Sequence, residues 1–249
     1  MTNLIAKDRI IFPLDLPTKT EALEYVRMLK DSVGVFKVGL ELFIAEGPVA
    51  VAEIKQAAPG VKIFLDMKLH DIPETVRRAI KSASGLGVDF ITVHADDGQG
   101  LLDAAMIEAG DIKILCITVL TSQSKESLAD MGLRDDLADP SQLVMHRARI
   151  AKDAGASGVV CSGLEVKRIK DEFGDALITV TPGIRLADNT VKDDDQKRVV
   201  TPYDAVRDGA DYLVIGRPIR DAEDPAAAAV IVAKEIQRAE SDCLRQGSC

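Results

Sequence analysis

Asp66, Lys68 and Asp71 fall within the run FLDMKLHDIPET, residues 64–75, in which two carboxylates flank one lysine. Read as a strand, the run alternates: Ile63, Leu65, Met67 and Leu69 point one way, and Phe64, Asp66 and Lys68 the other. A parallel strand is normally buried on both faces and apolar throughout, so charges at its C-terminal end carry a desolvation cost that function usually explains. Opposite charges packed this way favour the ionised forms, which keeps Lys68 an ammonium and makes it an acid. A Schiff-base nucleophile would instead need a pKa depressed by desolvation or by a cationic neighbour.

The same alternation recurs on the two preceding strands. Phe36, Val38 and Leu40 form one set and leave Val35, Lys37 and Gly39 pointing inward; before them, Phe12, Leu14 and Leu16 face outward and Asp15 inward. Three consecutive strands thus aim Asp15, Lys37, Asp66 and Lys68 at one volume. Charges of alternating sign on adjacent strands are hard to explain as packing.

The elements that must position these residues alternate from end to end. Strands are expected at residues 10–16, 35–40, 62–69, 90–95, 113–121, 158–163, 177–184 and 212–219, with amphipathic helices at 19–32, 48–57, 74–86, 142–154 and 226–239 among those between them. Eight strand and helix pairs predict an α/β protein with the (β/α)8 TIM barrel, as one domain over residues 1–249. A doubly wound open sheet is the alternative, but no GxGxxG follows the first strand. Two connections are long, residues 122–140 and 185–200, and both emerge at the C-terminal rim where such barrels keep their active sites.

At that rim, TPGIR (181–185) follows the seventh strand and IGRPI (215–219) ends the eighth. A barrel commonly builds a phosphate site from these two loops: Gly183 and Gly216 permit close backbone approach, and Arg185 and Arg217 supply bidentate donors. Thr121 and Ser122, at the exit of the fifth strand, offer hydroxyls to a ligand or simply begin the loop. His94 either lines the site or sits satisfied in the barrel interior, His70 packs or faces solvent, and His146 reads as surface; the three have no metal-ligand spacing.

Bulk properties narrow the classes further. A formal charge of −9 and no basic stripe with interleaved aromatics argue against nucleic-acid binding. No apolar run approaches a membrane span, and the N-terminus MTNLIAKDRI lacks the core of a signal peptide, so a cytoplasmic protein is expected. Cys116, Cys161, Cys243 and Cys249 read as buried or incidental thiols.

With these residues assembled, the chain resembles the bacterial-type orotidine 5′-phosphate decarboxylase family over essentially its whole length. The shared pieces are DxKxxDIPxT from Asp66 to Thr75, FKVG around Lys37, LDLP around Asp15, VLTS ending at Ser122, TPGIR, Gln196 and IGRPI. The DxKxxD spacing also occurs in metal-dependent relatives such as 3-hexulose-6-phosphate synthase, but those carry a magnesium-binding glutamate where this chain has Lys37, and a cation there disfavours a second one.

The resemblance implies conversion of orotidine 5′-monophosphate to UMP and carbon dioxide, the last step of de novo pyrimidine nucleotide synthesis, with no cofactor and no metal. It places Asp15 and Lys37 at the ribose, Asp66 beside the substrate carboxylate, and Lys68 where it stabilises a carbanion and protonates carbon 6. It implies a homodimer in which Asp71, with Ile72 and Thr75, reaches into the partner's site. Thr121 and Ser122 would read the pyrimidine, and Arg185, Gln196, Gly216 and Arg217 would hold the phosphate. The segment from Arg185 to Gln196 is slightly longer than in bacterial counterparts. Two other readings remain: a metal-dependent aldolase or decarboxylase, and a non-catalytic sensor of phosphorylated ligands, which would have no use for Lys68 between two carboxylates.

Overall fold

The structure, a computed structural model, describes residues 4–186 and 198–246. Eight parallel strands close into a barrel in sequence order: β1 Ile10–Pro13, β2 Val35–Val38, β3 Lys62–Leu69, β4 Phe90–His94, β5 Lys113–Ile117, β6 Gly158–Val160, β7 Ile178–Thr181 and β8 Tyr212–Val214. The seam is β1 against β8, with Ile10 opposite Leu213 and Ile11 opposite Val214. Helices lie between the strands, as the (β/α)8 pattern predicts.

Local chemistry starts these helices where the sequence indicates. The Thr18 hydroxyl caps Lys19–Leu29 by accepting the Glu21 N–H, and the Asp139 carboxylate caps Pro140–Asp153 by accepting from Gln142. Proline occupies the first turn of Pro48–Ala57, Pro73–Ser84 and Pro140–Asp153, where its missing N–H costs nothing.

Period-two alternation sorts the strand residues into two cores. Phe12, Phe36 and Leu65 point outward and join helix residues such as Val26, Ile54 and Ile80. Ile11, Val35, Phe64, Phe90, Leu115, Val180 and Tyr212 point inward and fill the barrel. Phe90 stands edge-on to Phe64 and Tyr212, with ring centroids 6.1 and 5.3 Å apart. This apolar plug closes the interior, so the inward residues one level higher face the C-terminal mouth.

Several strands end earlier than their apolar runs suggest. β1 stops at Pro13, which puts Asp15 in the following loop, and Leu40 begins the helix Leu40–Glu46 with its side chain exposed instead of facing the helices. β5 stops at Ile117 and β8 at Val214, where the short helix Arg217–Arg220 takes over. The reason is that rim loops fold over the core: Val119 and Ile215 are buried beyond the last ladder pairs, and periodicity cannot separate a buried loop from a strand.

The connection 122–140 is not a bare loop. It contains the helix Lys125–Asp130, capped reciprocally by Ser124 and Ser127. Of the second long connection, residues 187–197 lie outside the described residues, Gln196 among them; its ends are clipped together, Arg185 N–H to Val200 O at 2.9 Å and Val200 N–H to Gly183 O at 3.1 Å. Cys116 and Cys161 are buried free thiols whose pKa burial pushes up to about 12. Cys243 departs from the expected thiol state, being disulfide-bonded. No helix among the described residues is long and apolar enough to cross a membrane.

Candidate active site

The four inward charges meet at the mouth of the barrel. Lys37 Nζ lies 2.9 Å from Asp15 Oδ1 and 3.5 Å from Asp66 Oδ2, and Lys68 Nζ lies 2.8 Å from the same Asp66 oxygen. Burial works against an ionised Asp66, yet the Lys37 and Lys68 ammoniums, with hydrogen bonds from Lys68 and Thr92, outweigh it and hold the carboxyl below its ordinary pKa. The result is a chain of alternating charge, Asp15, Lys37, Asp66, Lys68, ending on a partly exposed ammonium.

Simple alternation does not account for how Lys68 is presented. The β3–β4 ladder runs regularly through Leu65 opposite Ile91, then resumes at Leu69 opposite Val93. Asp66, Met67 and Lys68 therefore stand opposite Thr92 alone, a bulge of the kind that re-aims side chains. Lys68 is the only non-glycine residue with positive φ among the described residues, at 47°. Such a backbone costs of order 1–3 kcal/mol and persists where its surroundings over-determine it.

Sequence reasoning missed the residue that completes this arrangement. Thr92 is fully buried; its Oγ1 accepts the Lys68 N–H at 2.8 Å and its O–H donates to Asp66 Oδ1 at 2.9 Å. The available signal was one polar residue at an inward position of FITVH, two beyond the inward Phe90.

These charges line a cavity of about 500 Å³. Arg185, Gly216 and Arg217 line the same cavity, and Ile117, Val119 and Val160 give it an apolar wall near Thr121. An occupant of matching chemistry combines an anionic group for the arginines, a centre that meets Lys68 and a flat or apolar body. Arg220, not singled out from sequence, also lines this space and is paired with Asp221 at 2.7 Å.

Comparison with known proteins gives the family. Residues 8–230 match the family described as "Orotidine 5'-phosphate decarboxylase / HUMPS family". The chain belongs to that family. It is 50% identical over 235 residues to an orotidine 5′-phosphate decarboxylase of Desulfosudis oleivorans, covering 94% of each chain. It is 48% identical over 222 residues to one of Methylococcus capsulatus, covering 89% of each. The crystal structure of orotidine 5′-phosphate decarboxylase from Lactobacillus acidophilus superposes with a TM-score of 0.78 at 36% identity, over 91% of this chain and 98% of that one.

The family motif DxKxxDIPxT is split by the fold. Asp66 and Lys68 face the cavity, whereas Asp71, Ile72 and Thr75 are exposed on the connection after β3 and do not line the cavity of their own subunit. Asp71 Oδ1 accepts the N–H of Ile72 at 2.7 Å. Ser122 is likewise exposed and outside the lining, whereas its neighbour Thr121 is part of it.

A second cluster lies beside the exit of β3. The His70 and His94 rings stack with centroids 5.1 Å apart, and Asp96 Oδ1 lies 3.7 Å from His70 Nε2 and 3.3 Å from His94 Nδ1. Contact with His94, against the cost of burial, and the charge of Arg147 hold the Asp96 pKa down at about 2. These three ligand-type groups come within 4.8 Å of one another. Arg147 Nη2, 3.7 Å from Asp96 Oδ2, already supplies the cation that this carboxylate needs.

Proposed function

We propose that this barrel decarboxylates orotidine 5′-monophosphate to UMP and carbon dioxide, without metal or cofactor, in the cytoplasm. The observation that carries the reading is the Lys68 ammonium, held 2.8 Å from Asp66 in a cavity that Arg185, Gly216 and Arg217 also line. The phosphate binds among the arginines, and Thr121 meets the pyrimidine. Asp15 and Lys37 take the ribose hydroxyls. The carboxylate is left beside Asp66 and Lys68.

The chemistry follows from where charge develops. Breaking the bond between carbon 6 and the carboxylate releases carbon dioxide and leaves the electron pair on an sp² carbon with little delocalisation. A fixed ammonium at that point stabilises the pair electrostatically, and the same group then delivers its proton to carbon 6. Lys68 is left neutral and regains a proton from solvent. Lys37 and Asp66 keep the site ionised and dipolar before substrate arrives, so little reorganisation is needed during the reaction.

We further propose that the chain acts as a single domain in a homodimer, with Asp71, Ile72 and Thr75 completing the partner's site. Their exposure outside their own cavity supports this, as do the exposed Leu40, Ile44 and Ile72 on the consecutive connections after β2 and β3. The charge of −9 favours a small ligand held by local cations over a nucleic acid.

Purified protein in excess chelator should consume orotidylate, followed as loss of its absorbance, and exhaustive EDTA treatment should leave the rate intact. Activity lost to EDTA and restored by magnesium would move the chain to the metal-dependent branch of the family. A second expectation concerns Gly39, whose backbone, at φ −92°, makes no demand for glycine. A Cβ there would lie 2.8 Å from Asp15 Oδ1 and 3.0 Å from Lys37 Nζ, both ends of flexible side chains. Gly39→Ala should therefore displace the pair and lower kcat/KM about tenfold or more, with a stability change of only about 0.5 kcal/mol. Unchanged turnover would remove the Asp15–Lys37 geometry from the mechanism.

A further inference from the structure

We propose that Thr92 is the positioning residue of this site: one hydroxyl fixes both the backbone of Lys68 and the rotation of the Asp66 carboxylate. The inference rests on the decarboxylase reading above and concerns how its general acid is held.

The direction of both hydrogen bonds is determined by what each partner can do. The Lys68 amide, 2.8 Å from Thr92 Oγ1, can only donate. The ionised Asp66 carboxylate, whose Oδ1 lies 2.9 Å from the same oxygen, can only accept. The single hydroxyl proton therefore goes to Asp66, and the oxygen lone pair takes the Lys68 N–H. In the regular part of β3 the even-numbered residues turn their N–H groups toward β2, as Lys62 does in donating to Gly34 O at 3.0 Å. The irregularity between Leu65 and Leu69 turns the Lys68 N–H toward β4 instead, where the Thr92 hydroxyl oxygen accepts it.

Each bond acts on a different part of the charged group. The bond to the Lys68 amide holds the left-handed backbone from which the flexible lysine stem departs. The bond to Asp66 Oδ1 ties one carboxylate oxygen to β4 and leaves Oδ2 for the ammoniums of Lys68 at 2.8 Å and Lys37 at 3.5 Å. The Lys68 Nζ is thus located twice, through its own backbone and through its counter-ion. A β-branched residue suits the task because its χ1 is stiff and its hydroxyl cannot swing away. Thr92 is fully buried and does not line the cavity, so it acts through Lys68 and Asp66 and not by touching substrate.

The decisive comparison is Thr92→Val, nearly isosteric but without the hydroxyl, against Thr92→Ser, which keeps it. For Thr92→Val, kcat should fall roughly 10²-fold with KM within about threefold of wild type, because the group that is displaced acts on the transition state. Thr92→Ser should retain kcat to within about fivefold. Amide exchange at Lys68, followed by NMR on labelled protein without substrate, should accelerate about tenfold or more in Thr92→Val and stay protected in Thr92→Ser. If Thr92→Val does not fold, Thr92→Ala takes the same two readings.

Wild-type kcat in the hydroxyl-free variant, or a serine variant as slow as the valine one, would overturn the proposal. The exchange measurement separates it from the reading on which it rests. A wild-type protein that fails to consume orotidylate sinks the proposed reaction, whereas undiminished Lys68 protection in Thr92→Val sinks the positioning role alone.

Discussion

Mixing Lys68→Ala subunits with Asp71→Ala subunits restores activity that neither variant shows by itself. Lys68 faces the cavity of its own barrel, whereas Asp71 is exposed on the connection after β3 and does not line that cavity. In a two-fold dimer with shared sites, a heterodimer pairs an intact Lys68 from one subunit with an intact Asp71 from the other. Its second site lacks both. Random exchange makes about half the dimers heterodimers, each with one native site of two, so about a quarter of wild-type activity is expected. The measurement is orotidylate consumption against mixing ratio, with subunit exchange verified by native mass spectrometry. Complete exchange without recovered activity would mean that Asp71 serves its own subunit or none.

The second large effect is expected at Arg217, which lines the same cavity as Lys68. A charge-assisted hydrogen bond contributes roughly 1.5–3 kcal/mol, and a guanidinium can make two such bonds to one phosphate. Arg217→Ala should therefore lower kcat/KM for the nucleotide by about 10²-fold or more. Binding energy from a non-reacting group reaches the chemical step only when that group is present. The same substitution should barely change the slow turnover of orotidine, the phosphate-free nucleoside. Measuring both substrates with both proteins decides the matter, and an equal fractional loss on each would show that Arg217 supports the chemistry or the fold instead of the phosphate.

The residues that carry these expectations differ in how far the sequence alone reveals them. Alternation with a period of two was enough to send Lys37 and Asp66 inward and Phe36 and Leu65 outward, because in a regular strand each residue's facing depends only on its neighbours. The order of strands and helices was enough to place Arg185 and Arg217 on the same rim as Lys68, since in this architecture every strand leads its following loop to one face. The proline and Ser/Thr/Asp cap signals likewise located helix starts such as Pro48 and Pro140, because capping is a local hydrogen-bond requirement.

Other features depend on contacts between distant parts of the chain. The end of each strand depended on where its neighbour stopped pairing, so Asp15 and Thr121 moved into loops although their apolar context continued. The helix Lys125–Asp130 was hidden because its six residues present too little periodicity to distinguish from a polar loop. His70, the neighbouring His94 and Asp96, and Arg147 come from three separate parts of the chain, so no local spacing joins the whole cluster.

Lys68 shows the division most clearly. Its type and its place between two carboxylates single it out as a candidate general acid in the sequence. Its left-handed backbone and its hold on Thr92 arise only when β3 pairs with β4 out of step, setting three residues opposite one. Residue type is written in the chain, but register is decided by long-range pairing, and the register gives this lysine its aim.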